Sequence, residues 1–166
     1  MPPTLSNPRD LFLQLLGELL WTERTLSFEV LPELHKAVTS EGLAAAVEEH
    51  LEQTREHGPR LEDVFRAVGA EPSSNLSPAV AKLAEHHDEL ADSFADDRLA
   101  DVFHAAAAAT TEHHELAAYD ALLALGQTVE LPKDARGLLE QNRKEEEEAL
   151  HRLEGELERL AGDLRT

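Results

Sequence analysis

The chain has 166 residues, enough for one domain with its own core, and 15 basic against 34 acidic side chains give it a formal charge of −19. This charge repels nucleic acid and anionic membranes, so neither is expected as a partner, and it attracts cations. The sequence lacks cysteine, which excludes disulfides and thiolate metal sites and leaves histidine, carboxylate and water as metal ligands.

The first seven residues form a polar lead, without a basic stretch followed by an apolar one. We therefore expect no signal peptide and a cytoplasmic location. The chain contains no run of about 20 apolar residues, so no segment is predicted to span a membrane.

The rest of the sequence is dominated by alanine, leucine, glutamate and arginine with 4% aromatics, a composition typical of helices. Hydrophobic periodicity predicts helices over residues 8–38, 41–68, 78–94, 97–125 and 132–164. Pro32 is predicted to kink the first helix, Gly58-Pro59 to kink or break the second, and Gly126 to end the fourth.

Four of these helices are long, at about 30 residues or roughly 45 Å each. Short links join the first to the second and the fourth to the fifth, which predicts two antiparallel hairpins. The long link between the hairpins contains the short helix. The predicted fold is therefore all-α, an antiparallel four-helix bundle forming a single domain over residues 1–166.

Each long helix places ligand-type side chains within its apolar stripe when residues are set at 100° intervals. An ionised carboxylate buried without a partner costs several kcal/mol, so something must meet these groups inside the bundle. The candidate metal ligands are Glu23, His50, His57, Glu112, Glu115 and Glu146.

The same phase test rejects a literal Glu-x-x-His motif on the last helix. Glu148 and His151 lie about 160° and 140° from the direction of Glu146, so both should face solvent. We expect Glu145 and Glu147 to belong to the same solvated face.

Distance from the turns predicts which candidates share a level along the bundle. Glu23 lies about 17 residues before the turn near residue 40, level with His57, whereas His50 is nearly two turns or ~10 Å closer to that turn. In the second hairpin, Glu112 and Glu115 lie ~15–18 residues before the turn near residue 130 and Glu146 lies ~16 residues after it, so all three are predicted at one level. The predicted cluster contains these three carboxylates with Glu23 and His57, and His50 lies further along.

Four carboxylates with one or two imidazoles suit a pair of iron or manganese ions. The alternative is a relic site in which the buried carboxylates pair with water and with Arg24, Arg55 or Arg143.

Four stretches of the sequence resemble the YciE/YciF-like branch of the ferritin-like superfamily. They are LLWTER over 19–24, EHLEQTREH over 49–57, RLEDVF over 60–65 and EHHELAAY over 112–119. The resemblance implies a ferritin-like bundle that is often a homodimer, is linked to stress responses and holds a di-metal centre. It implies no particular activity.

The chain departs from the ferritin-like pattern at positions that affect the site. Thr54 stands where the Glu of a Glu-x-x-His motif would bridge two metals, Gly58-Pro59 directly follows His57, and Leu150 replaces an Asp that is frequent in the family. A mononuclear, incomplete or empty site therefore stays open beside the dinuclear one.

The leading functional hypothesis is a stress-related protein that binds iron or manganese and oxidises Fe(II) with dioxygen or peroxide. Tyr119, about 20° from Glu112, is either a core residue or a donor to the ligands. The rival hypothesis is a non-catalytic stress or assembly protein, in which the outward-facing Trp21 marks a partner surface. A third is a cation buffer that uses the acidic exterior.

Overall fold

The computed structural model describes residues 4–165, so the first three residues of the predicted polar lead and Thr166 lie outside the described part. Within that part every regular element is helical, as predicted. The elements are α1 (Pro8–Thr25), a π-helical segment (Leu26–Val30), α2 (Leu31–Ala37), α3 (Glu41–Ala67), α4 (Pro78–Ala91), α5 (Asp97–Thr128) and α6 (Lys133–Asp163).

Three of the helices, α1, α3 and α5, begin at residues whose side chains satisfy free backbone N–H groups. Asn7 accepts a hydrogen bond from the amide of Asp10 at 3.0 Å, and Asp96 accepts one from the amide of Leu99 at 3.0 Å. Ser40 caps α3 at the tight turn after α2, as predicted. The Ser40 cap fixes where the first hairpin turns.

Each hairpin is antiparallel, because residues at the start of one helix contact residues at the end of the other. Arg9 of α1 donates to the carbonyl of Val68 at 2.7 Å, and Arg98 of α5 donates to the carbonyl of Asp163. One rod of the bundle is continuous from α1 through the π-helical segment into α2, and the other three rods are α3, α5 and α6.

The two hairpins pack so that every rod neighbours two rods of opposite direction. The neighbours are α1 with α3 and α5, and α6 with α3 and α5. Gln53 and Arg60 of α3 contact Arg152 and Asn142 of α6, respectively, so α3 and α6 also run antiparallel. The directions are thus up, down, down and up in chain order, and the long connection with α4 returns the chain along the bundle.

Two apolar clusters fill the ends of the bundle and leave a polar layer between them. One cluster lies at the end with the α2–α3 turn and includes Leu34, Leu43 and Leu153. The other includes Phe12, Phe65 and Leu139. Burial of each such side chain stabilises the fold by about 1.5–3 kcal/mol, so the clusters provide the rigid frame on either side of the polar layer.

The predicted disturbance at Pro32 takes the form of the π-helical segment. Pro32 has no N–H to bond the carbonyl of Phe28, and the amide of Leu31 instead bonds the carbonyl of Leu26, five residues back. The chain continues as α2 without a break in the rod.

Of the kink or break predicted at Gly58-Pro59, the break does not occur, because α3 is continuous from Glu41 to Ala67. Pro59 removes the hydrogen bond to the carbonyl of Arg55, and both residues are exposed, so water can satisfy that carbonyl. His57 remains fully buried at 0% exposure and is not displaced by the proline.

Gly126 does not end α5, contrary to the prediction, and the helix continues to Thr128. A Cβ at Gly126 would lie 3.0 Å from a methyl carbon of Leu131, so the glycine permits a close approach of the following loop. The chain reverses at Glu130, whose φ is 53°. The short helix α4 also ends earlier than predicted, at Ala91.

In the described part of the chain, no helix is both long and apolar enough to cross a membrane.

Candidate metal centre

Six side chains from the four rods of the bundle meet in its polar layer. Each is at most 1% exposed. They are Glu23 of α1, His50 and His57 of α3, Glu112 and Glu115 of α5, and Glu146 of α6. The helical period explains the meeting: His50 and His57 are seven residues apart, and Glu112 and Glu115 are three apart, so each pair shares the inner face of its helix.

The six residues form two groups of potential ligands that share Glu146. In one group, His50, Glu112, Glu115 and Glu146 each offer one ligand atom within 4.8 Å of the others. In the second group, Glu23, His57 and Glu146 meet the same criterion. A shared carboxylate flanked by two sets of ligands is the arrangement that dinuclear carboxylate sites use to bridge their metals.

The His50 group has short distances and few hydrogen bonds. His50 Nε2 lies 2.9 Å from Glu112 Oε1 and 3.7 Å from Glu146 Oε2. Nδ1 of His50, both oxygens of Glu115 and Oε2 of Glu112 have no hydrogen-bond partner. The contacts of His50 Nε2 and of the two Glu146 oxygens are ion pairs between histidine and carboxylate. Buried polar atoms are almost always paired, so this concentration of unpaired donor atoms is typical of a ligand site.

The His57 group is held by a denser set of contacts. His57 Nδ1 lies 2.7 Å from Glu146 Oε1 and 3.2 Å from Glu23 Oε2. On the other side of the ring, Nε2 lies 2.9 Å from Glu145 Oε2. Arg60 donates to the same Glu145 oxygen at 2.7 Å. The series of contacts Glu23, His57, Glu145 and Arg60 thus alternates acidic and basic side chains and leads from the core toward the surface.

Tyr119 and Asn142 hold this second group in place. The Tyr119 hydroxyl donates to Glu23 Oε1. Asn142 donates to the Tyr119 oxygen at 3.0 Å and to the backbone carbonyl of His57 at 3.3 Å. Tyr119 is therefore both a fully buried core residue and a donor to a candidate ligand.

Burial shifts the carboxylates toward their protonated forms. It raises the pKa of Glu112 and of Glu146 to about 7, and the charge of Glu112 further raises that of Glu146. Burial also raises the pKa of Glu23 and puts that of Glu115 well above its usual range. A cation bound among them would favour their charged forms instead.

The two histidines are shifted in opposite directions. Burial lowers the pKa of His50, which keeps the ring neutral and its nitrogens able to bind a metal. Burial also acts to lower the pKa of His57, but Glu23 and Glu146 outweigh it and raise the pKa to about 11. Without a metal, His57 is therefore an imidazolium that neutralises part of the carboxylate charge.

The prediction that His50 lies apart from the cluster is wrong. Counting from the turn placed it about two turns away from the other candidates, but it contacts Glu112, while His57 contacts Glu23 and Glu146. The rise of ~10 Å along α3 is spanned because histidine and glutamate side chains reach along the bundle, and Glu146 presents one oxygen to each histidine. The proposed ligand set stays a prediction.

Glu145 was predicted to face solvent, and this is also wrong. Its side chain is 19% exposed and pairs with His57 and Arg60. Although burial acts to raise the pKa of Glu145, hydrogen bonds from Arg60, Gln141 and His57 lower it. The phase of Glu145, one residue before Glu146, gave no indication of this role, because a long side chain at the edge of the stripe can turn inward.

Other candidates lie where the phase test placed them. Glu147, Glu148 and His151 are exposed, so the Glu-x-x-His motif of α6 takes no part in the cluster. Thr54 is 1% exposed and donates its hydroxyl to the carbonyl of His50 at 2.8 Å, so it fills the position of a bridging Glu without offering a charge.

The arginines of the relic-site alternative do not reach the buried carboxylates. Arg24 pairs with Glu62 at 2.7 Å, and Arg143 pairs with Asp120 at 2.6 Å. Arg55 is exposed. The positive charge within the cluster therefore comes from His57.

Comparison with known proteins places this chain in a family. The family described as "Domain of unknown function (DUF892)" matches residues 7–163. Protein YciF of Escherichia coli K12 is 31% identical over 141 residues, which cover 82% of each chain.

Two solved structures share the fold at a TM-score of 0.88. A Rhodopseudomonas palustris protein named YcfI is 29% identical and covers 93% of this chain and 97% of its own. The E. coli protein described as the stress protein YciF is 25% identical and covers 95% of this chain and 99% of its own.

Proposed function

This chain belongs to the DUF892 family, whose description assigns no activity, and we propose that it binds a pair of iron or manganese ions between its helices and oxidises Fe(II) there. YciF of Escherichia coli, to which this chain is similar, is described as a stress protein. We propose the same setting for this chain, with metal ions as its partners.

The observation that carries the proposal is the set of buried donor atoms without hydrogen bonds. Both oxygens of Glu115, Nδ1 of His50 and Oε2 of Glu112 have no hydrogen-bond partner. Each such group costs about 1–3 kcal/mol in the metal-free fold, and more when charged. A divalent cation satisfies several of them at once, and the oxygen and imidazole donors match the preferences of iron and manganese.

The residues divide the work between two positions. His50, Glu112 and Glu115 would hold one ion, Glu23 and His57 would hold the other, and Glu146 would bridge them. His57 must lose its proton to serve as a ligand, so binding at its position releases a proton.

Bound iron supplies the capacity to pass electrons to dioxygen or peroxide. The chain contributes carboxylates that neutralise the additional positive charge of Fe(III) relative to Fe(II). The hydroxyl of Tyr119 holds Glu23 in one orientation, and the apolar clusters on either side of the layer exclude water. The anionic carboxylates favour the oxidised over the reduced state of the metal.

A second candidate, a non-catalytic stress or assembly protein with an incomplete site, is favoured by one feature. Both ring nitrogens of His57 already contact carboxylates, and Thr54 adds none. In that case, the ion network of His57 would remain closed and at most one ion would bind, at His50.

Metal analysis after loading distinguishes these functions. The purified chain is loaded anaerobically with Fe(II), or with Mn(II) in air, then desalted and its bound metal measured by mass spectrometry. Glu146→Gln removes the shared carboxylate, and Glu147→Gln is a matched control on the exposed face of the same helix.

Two ions per chain in the wild type and the control support the dinuclear proposal. Glu146→Gln should then lower the metal affinity by at least ~10–100-fold, the range typical when only a hydrogen-bond partner of a ligand is removed. One ion, held by His50 and abolished by Glu112→Gln, supports the second candidate. No tightly bound metal in any variant would overturn the dinuclear proposal and leave the second candidate, with an empty site. Fe(III) formation on admission of air, followed by absorbance, tests the oxidation step.

A further inference from the structure

A cavity of about 580 Å³ lies beside the metal centre, between the first rod, α4 and α5. Protein interiors contain few voids larger than a water molecule, whereas small-molecule sites have volumes of about 300–1,000 Å³. The size of this cavity is therefore typical of a binding site rather than of imperfect packing.

The walls of the cavity are apolar. The π-helical segment and α2 contribute Leu26, Val30 and Leu34, and α4 contributes Val80 and Leu83. The π-helical conformation itself occurs frequently at functional sites, because it turns side chains out of the regular helical register. An apolar ligand would replace water at these walls and gain the corresponding hydrophobic free energy.

Aromatic rings line the side of the cavity formed by α4 and α5. The rings of His87 and Phe103 are stacked, with centroids 5.4 Å apart and planes at 14°. His87 Nε2 lies 2.9 Å from His104 Nδ1, which places their polar atoms in contact with each other. Burial and the neighbouring His87 lower the pKa of His104, so His104 favours its neutral form.

The charged groups of the cavity are acidic. Glu29, Glu33 and Asp88 are exposed residues of the lining. The inner end reaches Glu112, which is 1% exposed and whose Oε2 has no hydrogen-bond partner. Among the described residues that line the cavity there is no lysine or arginine, so an anion would find no counter-charge.

We propose that this cavity is a binding site for a small neutral apolar organic molecule, which reaches from the surface to Glu112. The site goes beyond metal binding, since its walls are mostly apolar side chains rather than metal ligands. Its position beside a ligand of the metal centre would bring the bound molecule next to that centre.

The test uses two fluorescent probes with the same aromatic frame and different charge. Neutral N-phenylnaphthylamine and the anionic anilinonaphthalene sulfonate are titrated into the full chain after treatment with a chelator. The neutral probe should saturate at one molecule per chain and bind at least about tenfold more tightly than the sulfonate, because burying an unpaired charge is unfavourable.

Filling the cavity provides the second arm. Ala107→Phe places a ring among the lining residues of α5, and Ala117→Phe places the same ring on an exposed position of the same helix. Ala84→Phe fills the cavity from α4, so the test survives if one variant fails to fold, as judged by circular dichroism.

Either cavity-filling substitution should lower the affinity for the neutral probe by about tenfold or more. The affinity of the Ala117→Phe variant for the same probe should stay within about twofold of the wild type. Equal binding of the two probes, no saturable binding, or equal effects of Ala107→Phe and Ala117→Phe would overturn the proposal. Because the titration is made without metal, its outcome is independent of whether the chain binds iron or manganese.

Discussion

Replacement of Glu115 by methionine should stabilise the metal-free protein and weaken its response to metal. Glu115 is 0% exposed, and neither of its oxygens has a hydrogen-bond partner. Its raised pKa keeps the carboxyl protonated, so the relevant penalty is that of an unpaired buried polar group, about 1–3 kcal/mol, rather than that of a buried ion. Methionine has a similar length and removes the penalty.

The gain should be measurable by thermal unfolding after chelation. For a chain of this size, 1 kcal/mol corresponds to roughly 2–4 °C, so the melting temperature of Glu115→Met should exceed that of the wild type by about 2–12 °C. Glu48→Met, an exposed position on α3, is the matched control and should change stability by less than about 0.5 kcal/mol.

Addition of metal should make the wild type more stable than Glu115→Met, the reverse of the order without metal. At a free metal concentration of about 100 times Kd, the wild type gains roughly 2.7 kcal/mol, whereas the variant has lost a ligand and gains less. A variant that is less stable than both the wild type and Glu48→Met without metal would refute the assignment of Glu115 as an unpaired group. Equal stabilisation of the variant and the wild type by metal would show that Glu115 is not a ligand.

Three further predictions concern pH, the ligand supports and the turn. The metal-free protein should lose stability in thermal unfolding between about pH 5 and pH 8, because Glu112 and Glu146, with a pKa of about 7, and His57, with a pKa of about 11, bind protons more tightly when folded. Tyr119→Phe should lower the free energy of unfolding in urea by about 1–3 kcal/mol, because it removes a hydrogen-bond donor from Glu23 and an acceptor from Asn142, both of which are buried. Asp101→Ala should lower it by about 2–3 kcal/mol, because the carboxylate accepts three hydrogen bonds from the α2–α3 turn, at 2.8 to 2.9 Å.

The sign of the pH effect follows from each shift. The carboxylates lose their contribution as pH rises from 4.5, the unfolded value, to about 7. The contribution of His57 is complete below 6.5 and is lost as pH rises through about 11. His50 acts in the opposite direction, since its lowered pKa makes folding more favourable as pH rises to 6.5. Stability that increases across this range would contradict the combined prediction, and metal loading should oppose the decline because it requires deprotonated ligands.

Tyr119→Phe and Asp101→Ala have different contrary outcomes. A neutral Tyr119→Phe would show that the Glu23 carboxyl finds another donor. A neutral Asp101→Ala would show that the amides of Thr39 and Ser40 are satisfied equally well by water.

The sequence predicted the elements and the inward-facing side chains, because both follow from helical periodicity. Glu23, Glu112 and Glu146 all lie in apolar stripes, and all are buried. The ends of helices were harder to predict, because a glycine can either end a helix or allow a close contact within one. Gly126 is a typical helix terminator, but here its missing side chain accommodates Leu131.

Contacts within the site were harder to predict, because they depend on side-chain reach rather than on phase. The rise along α3 separates His50 from His57, yet the two oxygens of Glu146 approach both rings. Asn142 was missed because a single amide in a polar helix resembles a surface residue, although it is 0% exposed. Its phase, four residues before Glu146 on α6, was the available indication.

The division of the candidate ligands between the hairpins has a consequence for folding. Glu23, His50 and His57 belong to the first hairpin, and Glu112, Glu115 and Glu146 to the second. Each hairpin consists of contacts that are local in sequence and can form early, whereas the ligand cluster exists only after the two have docked. An ion bound by both hairpins would stabilise the docked state, and it would slow unfolding rather than accelerate folding.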